Sequence, residues 1–116
     1  MSRVVSGAPQ LASVLSVTQA TSITTGVTLN APQGQIVTVS TTLAAAGEAE
    51  FVVTNDRVLE TDVVVVSLAS TSSAGTPVCH CSRVAAGSFT VMVTNLHATA
   101  ALDNTLTINF AVMRVN

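Results

Sequence analysis

A chain of 116 residues with no break in composition predicts a single domain. Charged residues make up 9% of the chain and the formal net charge is −2, so we expect no basic surface and no nucleic-acid partner. No apolar run approaches the roughly 20 residues of a transmembrane helix, and the N-terminus lacks the continuous apolar segment of a signal peptide. The sequence therefore predicts a protein that has no membrane partner and is made in a cytoplasm, where it either stays or leaves inside a larger particle.

The scarcity of charge predicts a protein that packs against neighbours. An average soluble domain has about 25% charged residues, whereas this chain has 9% and neither tryptophan nor tyrosine. Its mean hydropathy is +0.61. A chain with so few charges and so high a mean hydropathy is expected to have apolar surface, which is usually hidden in an assembly. A monomer with a surface rich in threonine is the alternative.

Residues 1–10 are predicted to form an extended N-terminal arm, and residues 11–116 a single β-sandwich domain. Gly7 and Pro9 interrupt regular structure, and Val4 and Val5 are apolar without a local partner. The arm either crosses onto a neighbouring subunit or is a frayed terminus. Alternation of apolar residues with Ser and Thr after Leu11 predicts the first strand.

A second, irregular strand is predicted around 23–29. A turn at 30–34 follows, because Pro32 fixes φ and Gly34 permits positive φ. The next strand, rich in threonine, is predicted over 36–42.

The run from Asp62 to Leu68 contains four consecutive valines, which favour a strand. Side chains alternate along a strand, so Val63 and Val65 share one face while Val64, Val66 and Leu68 share the other. Because both faces are apolar, this strand is predicted in the middle of a sheet. One face would enter the protein's own core, and the other would be covered by an arm or by another molecule.

Two segments of the chain resemble each other at a spacing of about 40 residues. The first leads from Leu43–Gly47 through Phe51 to Val53-Thr54-Asn55, and the second from Val84–Gly87 through Phe89 to Val93-Thr94-Asn95. Each unit is followed by an apolar strand, which favours a Greek-key sandwich over a solenoid.

The later strands alternate clearly between apolar and polar positions. The residues predicted to point inward are Phe89, Val91, Val93, Leu106, Ile108, Phe110 and Val112. Ala111 and Met113 then lie on the opposite face of the last strand. About eight short strands with turn signals between them predict an all-β fold, a jelly-roll or Greek-key β-sandwich.

The sequence carries no pattern typical of an enzyme. In a strand, Cys79 and Cys81 share a face and His80 takes the other, so Cys79-His80-Cys81 does not form a zinc site, which needs four ligands. No nucleophile elbow or phosphate loop is present. A calcium site built from Asp56, Glu60 and Asp62 stays open as an alternative to solvated charges. We expect no catalytic residues, no metal and no cofactor.

Several stretches together resemble a family of tailed-bacteriophage structural proteins. They are Thr21–Asn30, Leu43–Gly47, Val84–Phe89, Asp62–Val66 and Ile108–Val112. Within about residues 18–114 the chain is similar to the jelly-roll cement, or decoration, proteins of Bordetella-type phage heads. Related β-domains occur in phage fibre and spike proteins.

The resemblance implies a viral structural protein of the capsid exterior that is made in the cytoplasm of the host bacterium. It would stabilise the capsid by binding the lattice of the major capsid protein, and it would also bind itself as a homodimer or homotrimer. The alternative is a fibre, spike or head-fibre module that binds a host surface receptor. The low aromatic content, 3%, disfavours a sugar-binding site.

Apolar residues without a place in the core are the interface candidates. In the arm and first strand they are Val4, Val5 and Leu11, and on the second apolar faces they are Val64, Val66, Ala111 and Met113.

Replacing Val4 and Val5 together by Asp is expected to weaken attachment to the capsid and to leave the fold intact, because the arm lies outside the predicted sandwich. Co-sedimentation of the purified variant with capsid shells measures this. Unchanged binding would remove the arm from the interface.

Overall fold

The chain folds as an all-β sandwich, as the sequence predicts. The structure is a computed structural model that describes residues 15–40, 42–71 and 74–115, so the predicted arm at 1–10 and Leu11 lie outside the described part. Within it there are eight strands and no helix. The strands are β1 (Ser16–Thr18), β2 (Val27–Thr28), β3 (Gln33–Val37), β4 (Glu48–Thr54), β5 (Val63–Thr71), β6 (Pro77–Ala85), β7 (Ser88–Asn95) and β8 (Leu106–Met113).

The strands form two four-stranded sheets. The first sheet has the order β1-β3-β8-β5 and the second has the order β2-β4-β7-β6. Of the consecutive strands described, β6 and β7 alone are neighbours in a sheet, and Gly87 with φ 84° serves the turn between them. The short strands β1 and β2 pair in parallel with β3 and β4. The finer jelly-roll description stays a prediction.

The core lies between the sheets and joins them through aromatic contact. The rings of Phe89 from the second sheet and Phe110 from the first are 5.2 Å apart between centroids and tilted by 56°, a favourable aromatic geometry. The core residues are Ile23, Val27, Ile36, Phe51, Val53, Val58, Phe89, Val91, Val93, Leu102, Leu106, Ile108 and Phe110. The inward residues predicted on β7 and β8 are therefore confirmed, with Val112 half-buried against the core.

The third strand begins earlier than predicted. It runs over Gln33–Val37 rather than 36–42, because residues 33–37 pair with β8. The ladder ends where Thr38 turns its side chain to the backbone. Thr38 Oγ1 accepts the Leu106 N–H at 2.9 Å, and this hydroxyl donates to the Val39 carbonyl at 3.1 Å.

The prediction that the valine-rich strand lies in the middle of a sheet is wrong. The strand exists as β5, but it lies at the edge of the first sheet, and β8 pairs with it on one side. Alternation and valine content report how a strand is packed above and below. They do not report how many strands lie beside it.

The internal repeat corresponds to a local two-fold arrangement of β4 and β7. These antiparallel strands pair Phe51 with Val91, which are 40 residues apart. The Asn55 N–H donates to the Gly87 carbonyl, and the Asn95 N–H donates to the Gly47 carbonyl, both at 2.9 Å. The two Val-Thr-Asn segments therefore end their strands in the same way at opposite ends of the pair.

Both asparagine side chains are fully buried and hold neighbouring loops. Asn55 Oδ1 accepts from the N–H of Ala31 and of Arg57, and its Nδ2 donates to the Ala31 carbonyl at 2.7 Å. Asn95 Oδ1 likewise accepts two backbone N–H groups, and its Nδ2 donates to three carbonyls. Those partners are Thr76, His97, Leu43, Ala44 and Ala100.

Replacing Asn95 by Ala is expected to lower the free energy of unfolding by about 2–4 kcal/mol, because several buried backbone groups lose their partner. Urea denaturation measures the change. The matched control is Asn109→Ala, whose side chain is exposed and bonds to Gln35, with an expected change within about 0.5 kcal/mol. Equal losses in the two variants would contradict the anchoring role of Asn95.

Candidate interaction face

The outward face of the first sheet carries no charged side chain on its strands. It is called the uncharged face below, and it consists of Ser16, Thr18, Gln33, Gln35, Val37, Val63, Val65, Ser67, Thr107, Asn109, Ala111 and Met113. Adjacent residues on it are set by strand register. Its middle is polar, where Gln35 Nε2 donates to Asn109 Oδ1 at 3.0 Å across β3 and β8.

One end of the uncharged face is apolar. Val63 lies opposite Met113, and Val65 lies opposite Ala111, on the paired strands β5 and β8. Val63, Val65 and Met113 are 43%, 46% and 49% exposed. These four residues, the apolar end, place three large exposed side chains and the smaller Ala111 side by side, and adjoining apolar side chains in water are a feature of interaction sites.

An ion pair fixes the rim beside the apolar end. Arg114 donates from Nε to Asp62 Oδ1 at 2.9 Å and from Nη2 to Oδ2 at 3.1 Å. Asp62 Oδ2 also accepts the Leu59 N–H at 2.8 Å. The pair joins the residue before β5 to the residue after β8, so it holds the ends of the two strands together.

These contacts also shift the titration of both groups. The Asp62 side chain has no solvent exposure. Hydrogen bonds from Arg114 and then from the Leu59 N–H hold the pKa of Asp62 below its ordinary value of 3.8, and the pKa of Arg114 is raised by the same pair. Asp62 therefore accepts three hydrogen bonds within the chain and acts as a structural carboxylate, which argues against its use in the predicted calcium site.

The outward face of the second sheet is different because it carries charge. Glu48, Glu50, His80 and Arg83 point outward from it, and Arg83 Nη2 donates to Glu50 Oε1 at 2.9 Å. An exposed pair of this kind contributes little to stability but keeps the face hydrated. The sandwich is thus polarised between a charged and an uncharged side.

The arrangement of Cys79-His80-Cys81 is confirmed. Both thiols point toward the core from β6 and His80 is exposed. The cysteines are free, and burial raises the pKa of each thiol. Among the residues that the structure describes, no three His, Cys, Asp or Glu side chains come together as a metal site.

The structure corrects one face assignment among the interface candidates. Val64 and Val66 pack against the core, so their assignment to an outward face is wrong. Val63 and Val65 occupy that face instead. The next two residues of the strand could have shown which face is inward. Apolar Leu68 shares the face of Val64 and Val66, whereas polar Ser67 shares that of Val63 and Val65.

The other candidates have mixed positions. Ala111 and Met113 do point away from the core, on the uncharged face. Val4, Val5 and Leu11 lie outside the described residues. A role in subunit contact stays a prediction for all of the candidates.

Comparison of the chain with protein-family models, curated proteins and solved structures finds no match in any of the three. Nowhere in the described ranges is there a helix with the length and hydrophobicity to span a membrane.

The Asp62–Arg114 pair predicts a specific loss of stability in acid. A carboxylate whose pKa is lower in the folded state stabilises the fold above its unfolded pKa, and this contribution disappears as pH falls through the folded pKa. Asp62→Asn is therefore expected to melt at a lower temperature than the unmodified protein at pH 7. The difference should shrink below about pH 4.

Thermal unfolding followed by circular dichroism across this pH range measures the effect. Asp56→Asn is the control, since its carboxylate is 70% exposed and lies 3.8 Å from Arg57 Nε. A melting difference for Asp62→Asn that is independent of pH would show that charge on Asp62 is not what stabilises the rim.

Proposed function

We propose that this protein is a capsid decoration protein, which binds the outside of a phage head and stabilises the lattice of the major capsid protein. The observation that supports the proposal is the asymmetry of the sandwich. One broad face lacks charge and ends in exposed valine and methionine, while the other carries Glu48, Glu50 and Arg83. In this proposal the uncharged face contacts the capsid and the charged face meets solvent.

The chemistry of the two faces suits a protein that coats a surface. Desolvating a charge on binding is costly unless it is paired, and strand positions on the uncharged face impose no such cost. Gln35 and Asn109 at its centre supply amide donors and acceptors, and the apolar end supplies hydrophobic contact. The Asp62–Arg114 pair at the rim is already satisfied within the chain.

Stabilisation follows from binding to the assembled state alone. A ligand that binds the lattice but not free subunits shifts assembly toward the lattice by its own binding free energy. Lattice symmetry repeats a modest contact across the whole shell, and an oligomer that binds through several copies has a higher effective affinity without new contacts. The partner in this proposal is the major capsid protein, which is what the resemblance of about residues 18–114 to phage cement proteins implies.

The test is the number of copies on virions of a phage that produces this chain, measured by quantitative mass spectrometry against the major capsid protein. Decoration of the whole head requires a copy number comparable with that of the capsid protein. A handful of copies would instead indicate a vertex or tail position and the receptor-binding alternative.

The variant Asn109→Lys places a charge at the centre of the uncharged face and is expected to reduce occupancy by more than about tenfold, because that charge must be desolvated. Val52→Lys is the matched control, since Val52 is 46% exposed on the charged face. Equal occupancy of the two variants would exclude the uncharged face as the capsid contact.

A further inference from the structure

Among the described residues, the Val63–Leu68 part of the β5 edge lacks the features that usually prevent edge pairing. Natural edge strands are kept single by shortness, charge, proline or bulges. No Asp, Glu, Lys or Arg occurs from Val63 to Ser82. The bulge in β5 lies between Leu68 and Ser70, which leaves Val63–Leu68 as a regular and uncharged run.

The other three edges in the described part of the chain are protected. β1 has three residues and β2 has two. β6 begins at Pro77, carries Arg83, and has a bulge between Cys81 and Arg83. In contrast to these three strands, β5 has a long stretch without proline, charge or bulge.

The unpaired backbone groups of β5 can be identified from register. The Val112 N–H donates to the Pro32 carbonyl at 2.7 Å, so the polar backbone groups of Val112 face β3. Val64 lies opposite Val112 and therefore belongs to a pair without mutual hydrogen bonds. The N–H and C=O groups of Val64, and by alternation those of Val66, point away from β8 at the open edge.

Within the described part of the chain, the inward side chains of β5 are less enclosed than those of the central strand β8. The inward residues Leu106, Ile108 and Phe110 of central β8 are nearly inaccessible, whereas Val64, Val66 and Leu68 pack on the core but are only partly buried. Val63 and Val65 are exposed on the opposite face. The strand thus has the sequence of a central strand and the surroundings of an edge strand.

We infer that β5 pairs antiparallel with β5 of a second copy, which joins the two first sheets into one continuous sheet across a two-fold axis. The inference does not depend on capsid binding. A second copy fits because an isologous interface requires a self-complementary surface, and an uncharged valine strand pairs with itself without repulsion.

The register that best matches apolar residues places Val65 on the two-fold axis. Val64 then pairs with Val66 of the second copy, which uses the outward backbone groups of both, and Val65 faces its counterpart on the uncharged face. In that non-hydrogen-bonded position the two Cα atoms would be about 4.5 Å apart, which lies within the range that a disulfide spans.

Light scattering after size-exclusion chromatography tests the assembly of the full-length protein. A mass twice the 11.8 kDa of the chain is expected, and a monomer throughout the micromolar range would overturn the inference. Val65→Lys should weaken the dimer by more than about tenfold, because like charges would meet at the axis. Val52→Lys, equally exposed on the other sheet, should remain dimeric.

Crosslinking tests the register independently of stability. In a Cys79→Ala, Cys81→Ala background, Val65→Cys should form a covalent dimer on oxidation, and Val52→Cys should not. A dimer that neither dissociates with Val65→Lys nor crosslinks through Val65→Cys would place the interface elsewhere. Dissociation by the Val4 and Val5 substitutions in such a dimer would assign it to the arm.

Discussion

The antiparallel pairing of β4 with β7 is the constraint on which the rest of the sandwich depends. It lies at the centre of the second sheet and aligns two units 40 residues apart, with Phe51 opposite Val91. The matched backbone bonds from Asn55 to Gly87 and from Asn95 to Gly47 close both ends of the pair. The buried side-chain amides of Asn55 and Asn95 bind the loops that lead to the other sheet. The pairing of β4 with β7 therefore sets both the register of these strands and the positions of the connections.

The buried asparagines explain how connections between sheets stay ordered in so small a domain. A buried loop exposes backbone groups that need partners, and Asn95 supplies them to three separate segments near residues 43, 76 and 100. An amide is suited to this work because it both donates and accepts. Because neutral amides fill this role, no charged side chain is needed to order these connections. Charged side chains can then lie at the rims and on one face, and the fold requires none on the uncharged face.

The residues of the core could be predicted from the sequence more completely than the order of the strands or the partners of individual side chains. Alternation identified Phe89, Val91 and Val93 as inward, because period-two patterning reflects burial directly. It could not place β5 at an edge, since strand neighbours depend on connections between distant residues. The role of Asp62 was also missed. Its partner Arg114 is 52 residues away, and nothing local distinguishes a buried carboxylate from a solvated one at a turn.

The edge at β5 bears on how an uncharged, valine-rich protein avoids aggregation. An unprotected edge can pair with any exposed strand. Antiparallel pairing of two identical edges satisfies the backbone groups of both at once, so neither stays available. The bulge after Leu68 limits the paired length, and the remaining edges are short or interrupted at Pro77 and Arg83. Growth would therefore stop at two copies, as expected for a closed two-fold interface. The same step would place two uncharged faces side by side in one sheet, doubling the surface available to a flat partner without adding any charge to it.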